Sequence, residues 1–158
     1  MATRISFLLI LLLLFVACKQ PETPVRPAPE PQPSTQYTQY GTPFGQMPAL
    51  SNVIMYEVNL RAYSQNGDLQ GVIDRLDEIR SFGVNVIWLM PIFPIGEVNS
   101  VNSPYSVRDY KAVGGEYGSL EDLRALTDAA HEKGMAVILD WVANHTAWDH
   151  PWISNSSY

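Results

Sequence analysis

Five apolar residues at positions 135–139 (MAVIL) run without a break into Asp140, and the pair Asn144-His145 follows four residues later. A continuous apolar run of this length predicts a strand buried on both faces, as in a parallel sheet. Two earlier segments fit the same plan. Residues 53–60 (VIMYEVNL) are rich in β-branched and aromatic side chains and read as a first strand. Residues 84–90 (VNVIWLM), closed by Pro91, read as a second.

Helical patterns separate these strands. Asp68 is placed to cap a helix in which Leu69, Val72, Ile73, Leu76 and Ile79 recur at helical spacing, with Gly83 as its stop. Ser119, with Asp122 three residues on, predicts the start of another. Its apolar stripe is Leu120, Leu123, Leu126 and Ala130, and Lys133-Gly134 ends it. Residues 91–118, with Pro, Gly, Asn and Ser throughout, form a long loop.

Strand-helix-strand-helix-strand with right-handed crossovers begins either a barrel or a doubly wound sheet. No Gly-x-Gly-x-x-Gly follows the first strand, so dinucleotide binding lacks its usual signature. Polar residues collect after several strands instead, as where βα loops build one site. The expected class is α/β, the N-terminal portion (about three βα units) of a (β/α)8 barrel. Such a barrel takes about 250 residues, whereas 158 − 50 leaves 108 here. Residues 50–158 are therefore expected to be a truncated barrel.

The first fifty residues have a different character. Residues 5–17 (ISFLLILLLLFVA) are apolar, follow Arg4 and end on a small residue, which is the pattern of an export signal. They are short of the roughly 20 residues that a membrane span needs. The only cysteine, Cys18, comes next, and residues 14–18 (LFVAC) resemble a bacterial lipoprotein box, with Phe15 where Leu is usual. That resemblance implies lipidation of Cys18 after a signal peptide at 1–18. The protein would then be an exported, membrane-anchored lipoprotein of a bacterial cell envelope. Residues 21–33 hold six prolines in thirteen positions. They read as an extended spacer within a disordered linker over 19–49, reaching roughly 40 Å at about 3.1 Å per residue. The net charge of −6, without a Lys/Arg cluster, gives no footprint for nucleic acid and suits neutral ligands such as sugars.

Several segments, in this order, carry a resemblance: residues 87–94 (IWLMPIFP), 103–110 (SPYSVRDY), 116–118 (EYG), Gly134 after its helix, and 140–146 (DWVANHT). Together, over residues 53–153, they resemble the α-amylase family, glycoside hydrolase family 13. One departure is Gly114-Gly115, where relatives often have Asn or Asp followed by Pro, and it is expected to loosen the loop. The resemblance implies that His145 contacts the sugar just before the scissile bond. It also implies that Tyr105 stacks on a pyranose ring and that Asp140 braces the site through hydrogen bonds. Tyr110 competes with Tyr105 for the stacking role, and His145 could instead satisfy a loop carbonyl. Asn144 matches an oxygen ligand of a structural calcium, one of the six to eight oxygens such a cation takes. Trp88 and Phe93 are expected in the core.

The reaction implied for the family is retaining cleavage of α-glucosidic bonds, with an α-glucan or maltooligosaccharide as substrate. Retaining hydrolysis needs two carboxyl groups about 5–5.5 Å apart. The family carries them after later strands. Glu57, Asp109 and Asp149 do not fall at those positions, so no catalytic residue is assigned. The expectation is an N-terminal fragment of a retaining α-glucan hydrolase, inactive alone. A non-catalytic, surface glucan-binding lipoprotein is the alternative.

Overall fold

A computed structural model describes residues 40–154. The export signal, Cys18 and the proline-rich stretch lie outside the described residues. Contacts divide the chain after Tyr40, and all the regular structure described belongs to the unit beginning at Gly41.

Three parallel strands, β1 (Met55–Val58), β2 (Val86–Leu89) and β3 (Ala136–Leu139), lie side by side in chain order. Met55 pairs with Val86 and Val86 with Ala136, and at the other end Val58, Leu89 and Leu139 are aligned. This sequential parallel order with helical crossovers is the N-terminal part of a (β/α)8 barrel. The ladder runs one residue past each strand: Met90 N–H donates to Val58 O at 3.0 Å and Asp140 N–H to Leu89 O at 2.8 Å. Asp140 is thereby fixed at the C-terminal rim of the sheet.

Short helices α1 (Leu60–Tyr63), α2 (Leu69–Ile73) and α3 (Leu76–Ser81) join β1 to β2, and α4 (Leu120–Glu132) precedes β3. The helix expected over 68–83 is therefore two. At Arg75 the N–H bonds Val72 O, three residues back, while the guanidinium reaches Tyr63 O and lies 5.0 Å from the Tyr63 ring centre. Leu76 and Ile79 still reach the core because the break costs no change of face. The start is capped as expected, Asp68 Oδ1 accepting Gly71 N–H at 2.8 Å.

In α4 the Ser119–Asp122 capping box closes reciprocally. At its end Gly134 takes φ +70°, Gly134 N–H reaches His131 O and Met135 N–H reaches Ala130 O. Those are the two bonds of the Schellman motif, and they turn the chain from α4 into β3.

One face of the sheet packs on the helices. Val58, Ile87 and Leu89 join Leu69, Val72, Leu76, Ile79, Leu126 and Ala130 in the core, with Tyr56 and Val137 at its margin. The opposite face carries Met55, Glu57, Trp88 and Ile138. Here the structure corrects the expectation that β3 is buried on both faces: Ile138 and Leu139 are 36% and 39% exposed. The two residues point to opposite faces, so the end of β3, at the edge of the described sheet, is open on both; an apolar run marks affinity for a core but not where the sheet stops covering it. Phe93 is buried as expected, while Trp88 is only half-buried.

The long loop is pinned, not loose. Ile95 and Val107 form an antiparallel bridge, flanked by Gly96 N–H to Ser106 O and Arg108 N–H to Pro94 O. Gly114 donates to Ile92 O at 2.7 Å, and a Cβ there would come within 3.1 Å of Phe93 O. Gly114 thus permits a close backbone approach, while a Cβ on Gly115 would meet nothing within 4 Å. Beyond β3 lies a further helix, α5 (Pro151–Ser154).

Candidate functional site

The side chains singled out in the sequence gather at the C-terminal rim of the sheet, in two pairs. Tyr105 comes from the long loop, where Ser106 N–H donates to Ser103 O at 3.0 Å and closes a tight turn around Pro104 and Tyr105. Tyr105 N–H donates to Ser103 Oγ at 3.3 Å. The hydroxyl of Tyr105 then donates to Asp140 Oδ2 at 2.8 Å. This bond to a carboxylate holds the Tyr105 phenol above its ordinary ionisation range, assisted by desolvation and by the negative charges of Asp140 and Glu57. Glu57 lies on the open face of β1, two residues from the rim. It has no assigned role in the sequence, yet its charge is felt at the Tyr105 hydroxyl. Strand parity was the available signal, because Tyr56 and Val58 face the helices and Glu57 must face away.

The second pair is Asn144 and His145, both exposed, with Asn144 Nδ2 3.1 Å from His145 Nδ1. An amide nitrogen can only donate, so with Asn144 Nδ2 facing it Nδ1 is the acceptor of this contact, which assigns the donor N–H of the ring to Nε2. His145 thus has an N–H free to donate. Its backbone is fixed from below, where Tyr110 Oη donates to His145 O at 2.8 Å. Tyr110 is wedged between other rings: Phe93 at 5.5 Å, His150 at 5.8 Å and Trp152 at 6.0 Å. No hydrogen bond links the Tyr105–Asp140 pair to the Asn144–His145 pair.

Asn144, His145 and Tyr110 line an open cavity of about 610 Å³ with Trp141, Trp148 and Trp152. Tyr105 and Asp140 are not among its lining residues. The three tryptophans are 65%, 68% and 52% exposed, so the cavity presents indole surface to solvent. Sequence reasoning passed over His150, which is 4% exposed and accepts Trp152 N–H on Nδ1 at 3.1 Å. The signal was His-Pro, since proline favours the first position of a helix and the residue before it serves as its cap.

For a calcium ion, the Asn144 Oδ1 atom is of the right chemistry. Among the described residues, however, no group of three or more His, Cys, Asp or Glu is placed to hold a metal. One oxygen is not a coordination sphere, and no step is assigned to a cation. Of the carboxylates set aside earlier, Asp109 and Asp149 have structural partners. Asp109 accepts Lys111 N–H at 2.8 Å. Asp149 Oδ2 accepts Glu97 N–H at 3.0 Å, and this backbone bond, more than the positive charge of Arg108, holds its carboxyl below the usual range.

The model of the α-amylase catalytic domain family matches residues 36–158. α-Amylase 3 of Dictyoglomus thermophilum is 40% identical over 115 residues, 70% of this chain and 22% of that protein. The α-amylase SusG of Bacteroides thetaiotaomicron is 31% identical across 96% of this chain and 22% of its own length. Among solved structures, an α-amylase from Lactobacillus plantarum aligns with a TM-score of 0.64 at 45% identity, covering 67% of this chain and 26% of that one. The chain spans about a fifth of the length of the curated relatives it matches. With three parallel strands in barrel order and a match over most of its length, this chain belongs to the α-amylase family.

Proposed function

We propose that this chain supplies the sugar-binding rim of a retaining α-glucan hydrolase, and that residues 40–154 bind without cleaving. The observation that carries the reading is the Tyr105–Asp140 hydrogen bond at the C-terminal rim of the sheet. A phenol whose hydroxyl is tied to a carboxylate has one orientation, and its ring face is then pre-set for the C–H face of a pyranose. His145 supplies a donor from Nε2 to a sugar hydroxyl, with Asn144 holding its tautomer. Asp140 acts through Tyr105 and does not attack. Relatives named as α-amylase and oligo-1,6-glucosidase support α-glucan or maltooligosaccharide as the ligand class.

Calorimetric titration with maltotriose tests this on protein expressed from its natural reading frame. Affinity should fall with Tyr105→Ala and with His145→Ala. Unchanged affinity in both variants would refute the reading. Asn144 is proposed as a single oxygen ligand of a structural calcium, testable as a rise in melting temperature on adding calcium that Asn144→Ala abolishes.

The leader extends the proposal. An export signal ending at Cys18 and followed by a proline-rich spacer supports a lipid-anchored envelope protein. Two acyl signals are needed for stable anchoring. Metabolic labelling with palmitate should mark the wild-type protein and not Cys18→Ala, and equal labelling of both would refute lipidation at that residue.

A further inference from the structure

We infer that Arg61, in α1, is a positioning residue for Tyr105, acting through Asn102 and the turn that follows it. Its guanidinium makes a two-pronged ion pair with Glu116, Nε to Oε2 at 2.9 Å and Nη2 to Oε1 at 2.6 Å. The same group donates from Nη1 to Asn102 O at 2.7 Å and from Nη2 to Asn102 Oδ1 at 3.4 Å. One side chain therefore ties two loop residues, 102 and 116, to the helix that leaves β1.

The chain from Arg61 to the site is continuous. Asn102 is held with φ +60°, an uncommon conformation for a residue other than glycine. Ser103, next in sequence, accepts on its carbonyl the bond that closes the Tyr105 turn and on its hydroxyl the Tyr105 N–H. Tyr105 then reaches Asp140. Lysine would replace Arg61 only in part, because its single ammonium lacks the planar fork that serves two partners at once. Tyr117, below the guanidinium at 5.8 Å, holds the fork from the other side.

This inference rests on Tyr105 being the ligand-contacting tyrosine, and the test separates the two. The protein, expressed from its natural reading frame with ¹³C-labelled tyrosine, is titrated by NMR. Tyr105 is assigned by the signal lost in Tyr105→Phe. In Arg61→Met the ionisation of Tyr105 should move down toward the ordinary value of about 10. The maltotriose dissociation constant should rise about fivefold, the scale of a lost hydrogen bond between half-buried groups. Arg61→Lys should fall between wild type and Arg61→Met in both readouts, and Arg61→Met should weaken binding no further in a Tyr105→Ala background.

Folded Arg61→Met with unchanged Tyr105 ionisation would overturn the inference, even if its melting temperature dropped. If Arg61→Met does not fold, Arg61→Lys and Glu116→Gln decide by the same two readouts, an unmoved Tyr105 overturning the inference. If Tyr105→Ala leaves maltotriose affinity unchanged while Arg61→Met still shifts Tyr105, the sugar reading fails and the positioning role stands.

Discussion

Removing the Tyr105 hydroxyl tests the link between the long loop and the strand rim. Tyr105→Phe keeps the ring and deletes only the donor to Asp140 Oδ2. A hydrogen bond to a charged group is worth about 1.5–3 kcal/mol when one partner is deleted. Both side chains are half-buried, so water replaces part of what is lost, and a coupling of about 1 kcal/mol is expected. That is roughly a fivefold change in an equilibrium constant.

The assay is a double-mutant cycle of Tyr105→Phe and Asp140→Ala, read by urea unfolding and by maltotriose titration. Singles whose effects add within about 0.3–0.5 kcal/mol in both readouts would show that the bond carries nothing. The pH dependence gives a sign check. A phenol held above its ordinary value stabilises the fold below about pH 10. That contribution is lost only as pH rises through the higher folded-state value. Asp140→Ala should therefore flatten the alkaline decline in stability, and an unchanged or steeper decline would refute the assigned cause.

Three further tests address the scaffold. Leu126, fully buried in α4, should cost about 3 kcal/mol as alanine in urea unfolding. Leu120, 45% exposed on the same helix, should cost under about 0.5 kcal/mol, and equal costs would mean that α4 does not dock as described. Gly96→Ala would place a Cβ 2.4 Å from both the Ala147 Cβ and Asp149 Oδ1. It should destabilise by about 1–3 kcal/mol, whereas a neutral calorimetric melt would contradict this packing. Asp149 is held below its ordinary value by the Glu97 N–H, so its contribution is present above about pH 4 and lost as pH falls through its lower folded value. Asp149→Asn should flatten acid unfolding, and an unchanged acid limb would count against that bond.

What was legible in the sequence was largely local. Asp68 and Ser119 announce helix starts, and Gly83 and Gly134 announce stops, because caps act within a few residues on their own backbone. Strand order followed from alternation, since parallel neighbours need crossovers. The rim motif around Asp140 and His145 was readable as a resemblance, but the tie from Tyr105 to Asp140 spans 35 residues and leaves no periodic trace. Arg61 and Glu116 are 55 apart, and nothing in either neighbourhood marks the partner. The break at Arg75 was hidden for a different reason. The apolar spacing on either side stays helical, so hydrophobic pattern cannot register a lapse in the backbone ladder. The exposed β3 residues show the same limit from the other side.

The pins on the long loop divide it into compartments with different freedom to vary. Glu97 is fastened to Asp149, with the Val98 backbone adding a weaker contact to the same carboxylate, and Asn102 is fastened to Arg61, which leaves residues 99–101 between the two anchors. Within that stretch Val101 is 86% exposed, and Asn99 turns the chain with φ +52°. Residues could be added or exchanged there while the downstream turn stays fixed, because Asn102 resets the path before Tyr105. A lineage could thus rebuild the outer lip of the rim, and with it what the protein meets first, without disturbing the tyrosine beneath.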